Sequence, residues 1–308
     1  IAHVGEAFLI AHLAIAEEGP VSELWRDARA YNDGKFPREA RQAGRDKEMA
    51  NLKLFDAVEE ATADEAYALS KRRGKSTPDM LWVEEYRGED VRARLCVREF
   101  KDAQRRDTFS STPDSWFARF QLSRCRADQD RAVCIVDISV AFMHADVAEE
   151  IIVRCPRDVV SGPLATGFWR LKKALNGTRK ASQSFQEFCA GILGKWGFTR
   201  NPHNPSMYYH WDLDINLEIH GDDFLIDAKR QRILDLAPEF SKEFLCKKLT
   251  MVSLHPDDLK EAWFLHRKVS VDEWGWHEEI DPKYAETLIK QQGQEHARFH
   301  RVPGHTHG

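Results

Sequence analysis

The chain has 308 residues, of which 42% are hydrophobic and 31% charged, and a formal net charge of −5. That length leaves room for about two domains, and the composition excludes an intrinsically disordered chain. The longest early apolar stretch, 7–16, is about half of the roughly 20 residues that a bilayer-spanning helix needs, and His12 interrupts it, so no membrane partner is expected.

No basic region precedes that stretch, which argues against a signal peptide. The sequence opens on Ile1 rather than Met and reads as part of a longer polyprotein. Residues 1–35 alternate apolar and acidic positions and suggest a helix or two. The spacing predicts further helix over 38–68, with Met49, Leu52, Leu54, Phe55 and Val58 as its core stripe. Lys71–Ser76 reads as a basic loop. Strands follow at Met80–Val83 and Val91–Phe100; in the second, Arg92, Arg94 and Arg98 share one face. Ser110–Asp114 is a predicted loop and Trp116–Leu122 the start of a helix.

Ala132–Phe142 is a short apolar β-type run that holds a carboxylate, Asp137, which is costly to bury unless it is paired or binds a cation. After a break at Asn176-Gly177, a helix is predicted with Phe185, Phe188, Cys189, Ile192, Leu193 and Trp196 on its buried face; Ser184 and Glu187 have capping-box spacing. Asp214–Ala228 reads as a β-hairpin turning at Gly221, with Asp222 and Asp223 adjacent at its tip. Asp257-Asp258 and Trp274–His277 read as loops and turns. The histidines at 296, 300, 305 and 307 have no Cys or carboxylate to complete an ordered metal site. Six irregularly spaced cysteines indicate neither a zinc knuckle nor a disulfide framework, so a reducing compartment is the default.

Charge is unevenly spread. Between 163 and 210, Glu187 is the sole acid among many Lys and Arg, while acids gather at 212–223 and in the last hundred residues. A locally basic middle can hold a polyanion if it lines one groove. The carboxylates specify the chemistry further. Phosphoryl transfer to a 3′-hydroxyl needs two divalent cations about 4 Å apart, one to activate the attacking hydroxyl and one to neutralise the leaving group. Hard cations prefer carboxylate oxygens. Asp137, Asp222 and Asp223 meet this need if their strands are neighbours in one sheet, with the Ile138 carbonyl as a further ligand.

These segments, in order, resemble the reverse transcriptase of copia-type LTR retrotransposons over about 40–303. Arg92–Phe100 (RARLCVREF) is similar to the family's K-A-R-L-V-A-x-G-F segment, and Thr108-Phe109-Ser110 to its T-F-S. Asp137–Glu150 (DISVAFMHADVAEE) resembles its first catalytic motif, and Trp169–Phe185 (WRLKKALNGTRKASQSF) its L-K-K-x-L-x-G segment. Lys195–Tyr208 is similar to the segment after it, and His220–Asp223 stands in the place of the Y-x-D-D hairpin. Trp263–Lys268 and Asp281–Tyr284 resemble the strand and helix beyond.

The resemblance implies an α+β right hand with an antiparallel palm sheet backed by helices. Fingers would come from 38–109 and 143–182, palm from 110–142 and 183–268, and a partial thumb from 269–308, after an N-terminal extension, 1–37. It implies RNA- and DNA-templated DNA synthesis with two Mg²⁺ ions (Mn²⁺ as substitute) on Asp137, Asp222 and Asp223. Phe142 would lie under the sugar of the incoming nucleotide, Arg92, Arg94 and Arg98 would meet its triphosphate, and Asn176 and Gly177 would sit beside it. Lys172, Lys173, Arg179 and Lys180 would contact template or primer phosphates, and Lys247 or Lys248 would assist proton transfer to pyrophosphate. Implied partners are a template–primer of RNA or DNA, dNTPs, and RNase H and integrase domains that this chain lacks. The implied location is the cytoplasm, in a retrotransposon particle, or the nucleus. The alternatives are a decayed or domesticated copy that binds nucleic acid without polymerising, and a different metal-dependent phosphotransferase or nuclease using the same carboxylates.

Overall fold

A computed structural model describes residues 36–87, 90–99, 110–159 and 167–295. The 1–35 segment, Thr108-Phe109 and the histidines at 296–307 lie outside these residues. In chain order the elements are α1 (Arg38–Leu54), β1 (Val58–Ala61), α2 (Ala63–Arg73), β2 (Met80–Arg87), β3 (Asp90–Val97), α3 (Ser115–Ala127) and β4 (Arg131–Ile138). A 3₁₀ turn (Ala141–His144), β5 (Ile152–Arg154), β6 (Phe168–Leu171), α4 (Ala181–Lys195), β7 (Thr199–Arg200), β8 (Met207–His210), β9 (Ile215–His220) and β10 (Asp223–Lys229) follow. Then come α5 (Arg230–Glu243), β11 (Cys246–Val252), β12 (Glu261–Phe264), β13 (Arg267–Asp272), β14 (Gly275–Ile280) and α6 (Pro282–Gln291).

Six strands form one antiparallel sheet in the order β11-β4-β10-β9-β8-β7. Period-two alternation gives this sheet two apolar faces. On one, Val136, Ile138, Leu217, Ile219, Phe224 and Ile226 bury against Phe185, Cys189 and Leu193 of α4 and Ile233 and Phe240 of α5. On the other, Val133, Ile135 and Leu225 meet Leu122 and Cys125 of α3 and Phe264 and Val269 of the β12–β13–β14 sheet. A second core joins α1, the β2–β3 hairpin and the β1-β6-β5 sheet around Leu52, Trp82, Leu95, Val153, Trp169 and Leu175. The fold is thus α+β, with an antiparallel sheet backed by helices, as expected. Among the described residues no helix is long and apolar enough to cross a membrane.

Several local expectations are corrected. The helix predicted over 38–68 is two helices with a strand between them. Asp56 takes a left-handed φ of 48°, which ends α1, and Val58 then enters β1 to pair with Leu171. Leu54, placed in the core stripe, is exposed. The basic run at 71–76 is not all loop: Lys71, Arg72 and Arg73 form the last turn of α2, where cations suit the helix dipole, and Gly74 caps it at φ 63°. Ser184 caps nothing, because α4 already starts at Ala181. Of the residues read as loop, Trp276 and His277 lie in β14.

Candidate active site

The site is built by strand register. Asp137, near the end of β4, lies directly opposite Asp223, the first residue of β10. Such antiparallel partners stand about 4.5–5.5 Å apart at Cα. Asp222 is the second residue of a two-residue turn between β9 and β10, and its carbonyl accepts a hydrogen bond from the Ile138 N–H at 3.0 Å. Gly221, the first turn residue, has φ 65°, a conformation that costs a glycine nothing and that tight hairpins require. Carboxylates more than eighty positions apart in sequence therefore converge at one end of the sheet.

Their electrostatics are unbalanced. Burial, together with the neighbouring charges of Asp222 and Asp137, pushes the Asp223 carboxyl up to about 6, with Lys247 opposing. Lys247 Nζ reaches Asp137 Oδ2 at 2.9 Å and is itself well exposed. It sits at a β-bulge: Cys246 pairs with Ile138 and Lys248 with Asp137, which leaves Lys247 as the extra residue whose side chain is re-aimed. Of the two lysines considered from sequence, Lys247 is the one beside the carboxylates. Three hard oxygen donors gathered at one end of the sheet, with one exposed lysine beside them, fit a divalent cation. Among the described residues no three ligating side chains already form a metal cluster. The groups that could hold a cation are Asp137, Asp222 and Asp223, with the Ile138 backbone beside them.

These carboxylates lie in a cleft of about 1050 Å³ that also meets Arg92, Arg94, Phe142, Asn176 and Lys247. Phe142 is held in the 3₁₀ turn after β4, edge-on to Phe185 at 6.4 Å. Val140, which leads into that turn, has a φ of 46°; this is a left-handed conformation that a β-branched residue adopts only under constraint. Arg92 and Arg94 share the less buried face of β3, alternating with buried Val91, Ala93 and Leu95.

Other predicted site residues are placed elsewhere. Arg98 lies beyond the end of β3, and its guanidinium is taken by Asp79. Gly177 does make a close backbone approach, at φ 85°, but to the strand: an added Cβ would stand 2.0 Å from the Val97 carbonyl oxygen. Asn176, whose carbonyl accepts from the Val97 N–H at 2.8 Å, does line the cleft. Lys172, Lys173 and Lys180 do not line it; they are ion-paired with Asp56, Asp146 and Glu149. The Arg179 N–H donates to Glu99 at 3.0 Å. One wall of the cleft was missed from sequence: Gly44, Lys47, Glu48 and Asn51 of α1. Their spacing of three and four marked one helix face, but nothing local says what that face meets.

Residues 81–256 match the family described as reverse transcriptase (RNA-dependent DNA polymerase). The transposon Ty5-1 protein of Saccharomyces cerevisiae is 27% identical over 120 residues, which cover 38% of this chain and 39% of that relative. The chain thus matches about two fifths of that protein's length. Among solved structures, apo telomerase from Candida tropicalis, truncated from its C-terminal domain, aligns at a TM-score of 0.44 with 8% identity, covering 78% of this chain and 60% of that one. Telomerase from Candida albicans, in complex with a fragment of telomeric RNA, aligns at 0.41 with 9% identity, covering 82% and 55%. At those scores the likeness adds nothing to the family assignment, which rests on the sequence match. The ordered motifs, the paired acidic strands and that match agree: the chain belongs to the reverse transcriptase (RNA-dependent DNA polymerase) family.

Proposed function

We propose that this chain synthesises DNA on RNA and DNA templates, with the primer 3′-hydroxyl attacking the α-phosphate of a dNTP and pyrophosphate leaving. The observation that carries the reading is the register pair Asp137–Asp223, with Asp222 at the adjoining turn, at the edge of a cleft large enough for a nucleotide. Asp137, Asp222 and Asp223 would hold two Mg²⁺ ions, which when bound lower the pKa of the attacking hydroxyl and neutralise the leaving pyrophosphate. Arg92 and Arg94 orient the triphosphate as cations on one strand face. Phe142 lies under the sugar, where a bulky ring disfavours a 2′-hydroxyl. Asn176 flanks the nucleotide, and Lys247 stands where a proton for pyrophosphate is needed.

The division into fingers (38–109 and 143–182), palm (110–142 and 183–268) and partial thumb (269–308) is proposed with it; the core around Leu52, Trp82 and Trp169 supports the fingers, whereas the 268/269 boundary falls inside β13, whose Val269 packs with the palm residues Val133, Ile135 and Leu225. RNase H and integrase activities would come from other parts of the polyprotein, and the particle in the cytoplasm, or the nucleus, is the proposed place of action. Lys172, Lys173 and Lys180 could serve template or primer phosphates only by exchanging their present carboxylate partners.

A second reading, a copy that binds nucleic acid without polymerising, is favoured by one observation. The hairpin carries His220-Gly221 where the family has an aromatic and a small apolar residue. Primer extension on an RNA template with dNTPs and Mg²⁺ separates the two. Extension by the wild type that is lost in both Asp222→Asn and Asp223→Asn supports the polymerase. Salt-sensitive duplex binding without extension by the wild type supports the second reading.

A further inference from the structure

The wall of the cleft formed by α1 lies outside the residues matched to the family, and no role is assigned to it. Ala40, Ala43, Gly44, Lys47, Glu48 and Asn51 recur at three- and four-residue intervals, so they make a single stripe along the helix that faces the carboxylates and the β3 arginines. Two features fix that stripe against β3. Gly44 lets the helix lie directly on the strand: a Cβ there would stand 2.2 Å from the Val91 carbonyl oxygen. Glu48, which is buried, accepts the Leu95 N–H at 3.2 Å; burial pushes its carboxyl up, opposed in part by that N–H, by Asn51 and by the charge of Arg94. Lys47, between these two anchors, is exposed and makes no ion pair among the described residues. It differs in this from Arg92, which pairs with Glu85, and from Lys247, which pairs with Asp137.

We propose that Lys47 is a phosphate-binding residue of the cleft, adding a cation from α1 to the row that Arg92 and Arg94 present from β3. The inference rests on the reading that this cleft takes nucleotide or nucleic acid. An ammonium without a partner, held at the mouth of a cleft whose floor is acidic, has a clear use. It would attract a polyanion whose near phosphates lie toward the carboxylates that would hold the cation and whose far phosphates reach the basic wall. The phosphates belong either to the dNTP or to the backbone of the template–primer.

The test uses the whole chain and two binding measurements that do not require turnover. These are equilibrium dialysis of labelled dTTP with Mg²⁺, and fluorescence anisotropy of a labelled RNA–DNA primer duplex across a salt series. Lys47→Ala should weaken dTTP about tenfold if the triphosphate is the ligand. It should instead weaken the duplex at every sequence and lower the salt slope by about one if the backbone is. Lys47→Arg should retain most of the affinity, and Lys53→Ala, an exposed lysine of the same helix outside the cleft, should match the wild type. Unchanged dTTP and duplex binding in Lys47→Ala, or equal loss in Lys47→Arg, overturns the proposal. A wild type that binds both ligands but extends no primer defeats the polymerase reading while the Lys47 comparison still decides this one. A wild type that binds neither overturns both.

Discussion

Acidic residues lie at both ends of the β9–β10 hairpin; burial raises the carboxyl of Asp227 at one end and of Asp223 at the other, but the two ends are partnered differently. At the far end, Asp227 is fully buried, yet Arg124 and Arg131 lie at 3.1 Å and Asn216 donates to it at 2.7 Å. Asp214 beside it accepts from Arg124 at 2.6 Å and from Arg131 and the Tyr209 hydroxyl at 2.7 Å. Burial pushes the Asp214 carboxyl up, but those donors outweigh it and hold it down at about 2. At the hairpin end, Asp137, Asp222 and Asp223 share one exposed lysine, and Asp223 is pushed up to about 6. The same hairpin therefore has at one end a network of Arg pairs that fastens α3 to the sheet, and at the other a carboxylate group opposed by one lysine, where the cation site is proposed. Composition and position in a strand do not distinguish them; the arginines that arrive from α3 and β4 do.

The largest effect that sharpens this contrast is on stability. Asp227→Ala leaves two guanidinium groups without their buried partner and should cost about 3–5 kcal/mol, measured by denaturant unfolding. Asp223→Asn removes a charge from a repelling cluster and should leave the unfolding midpoint equal or raised. A loss in Asp223→Asn as large as that in Asp227→Ala would erase the distinction between the two ends.

A smaller effect concerns pH. Asp214 has its carboxyl depressed in the folded state, so its contribution to stability is present above the unfolded value near 4 and is lost as pH falls through about 2. Acid unfolding of Asp214→Asn followed by circular dichroism should therefore be flatter over that window than that of the wild type. Parallel curves would show that the far-end network does not depend on this charge.

Much of the hairpin end was legible in the sequence. A two-residue Gly-Asp turn between apolar runs fixes a hairpin, and an acid late in another apolar strand limits where the two can meet. The 3.6-residue stripe of α4 was legible for the same reason: its periodicity is local. What was hidden depended on partners distant in sequence. The ion pair of Lys172 with Asp56 spans 116 positions, so a basic segment that reads as a phosphate track is largely neutralised in the fold. Gly177 signalled close approach without saying that Val97 would be what approached. The α1 helix showed which residues share a face, but the role of Lys47 emerged only once β3 was laid against Gly44. Asp56 broke a helix that local propensity alone would have continued, because β1 gains a partner in β6.

The three hairpin-end carboxylates are proposed to act together as a divalent-cation site, and Mn²⁺ binding followed by electron paramagnetic resonance tests this without any need for catalysis. The wild type and Asp214→Asn are expected to bind Mn²⁺, and Asp223→Asn to lose it. Mn²⁺ bound equally well by Asp223→Asn, or not bound by the wild type, would contradict it.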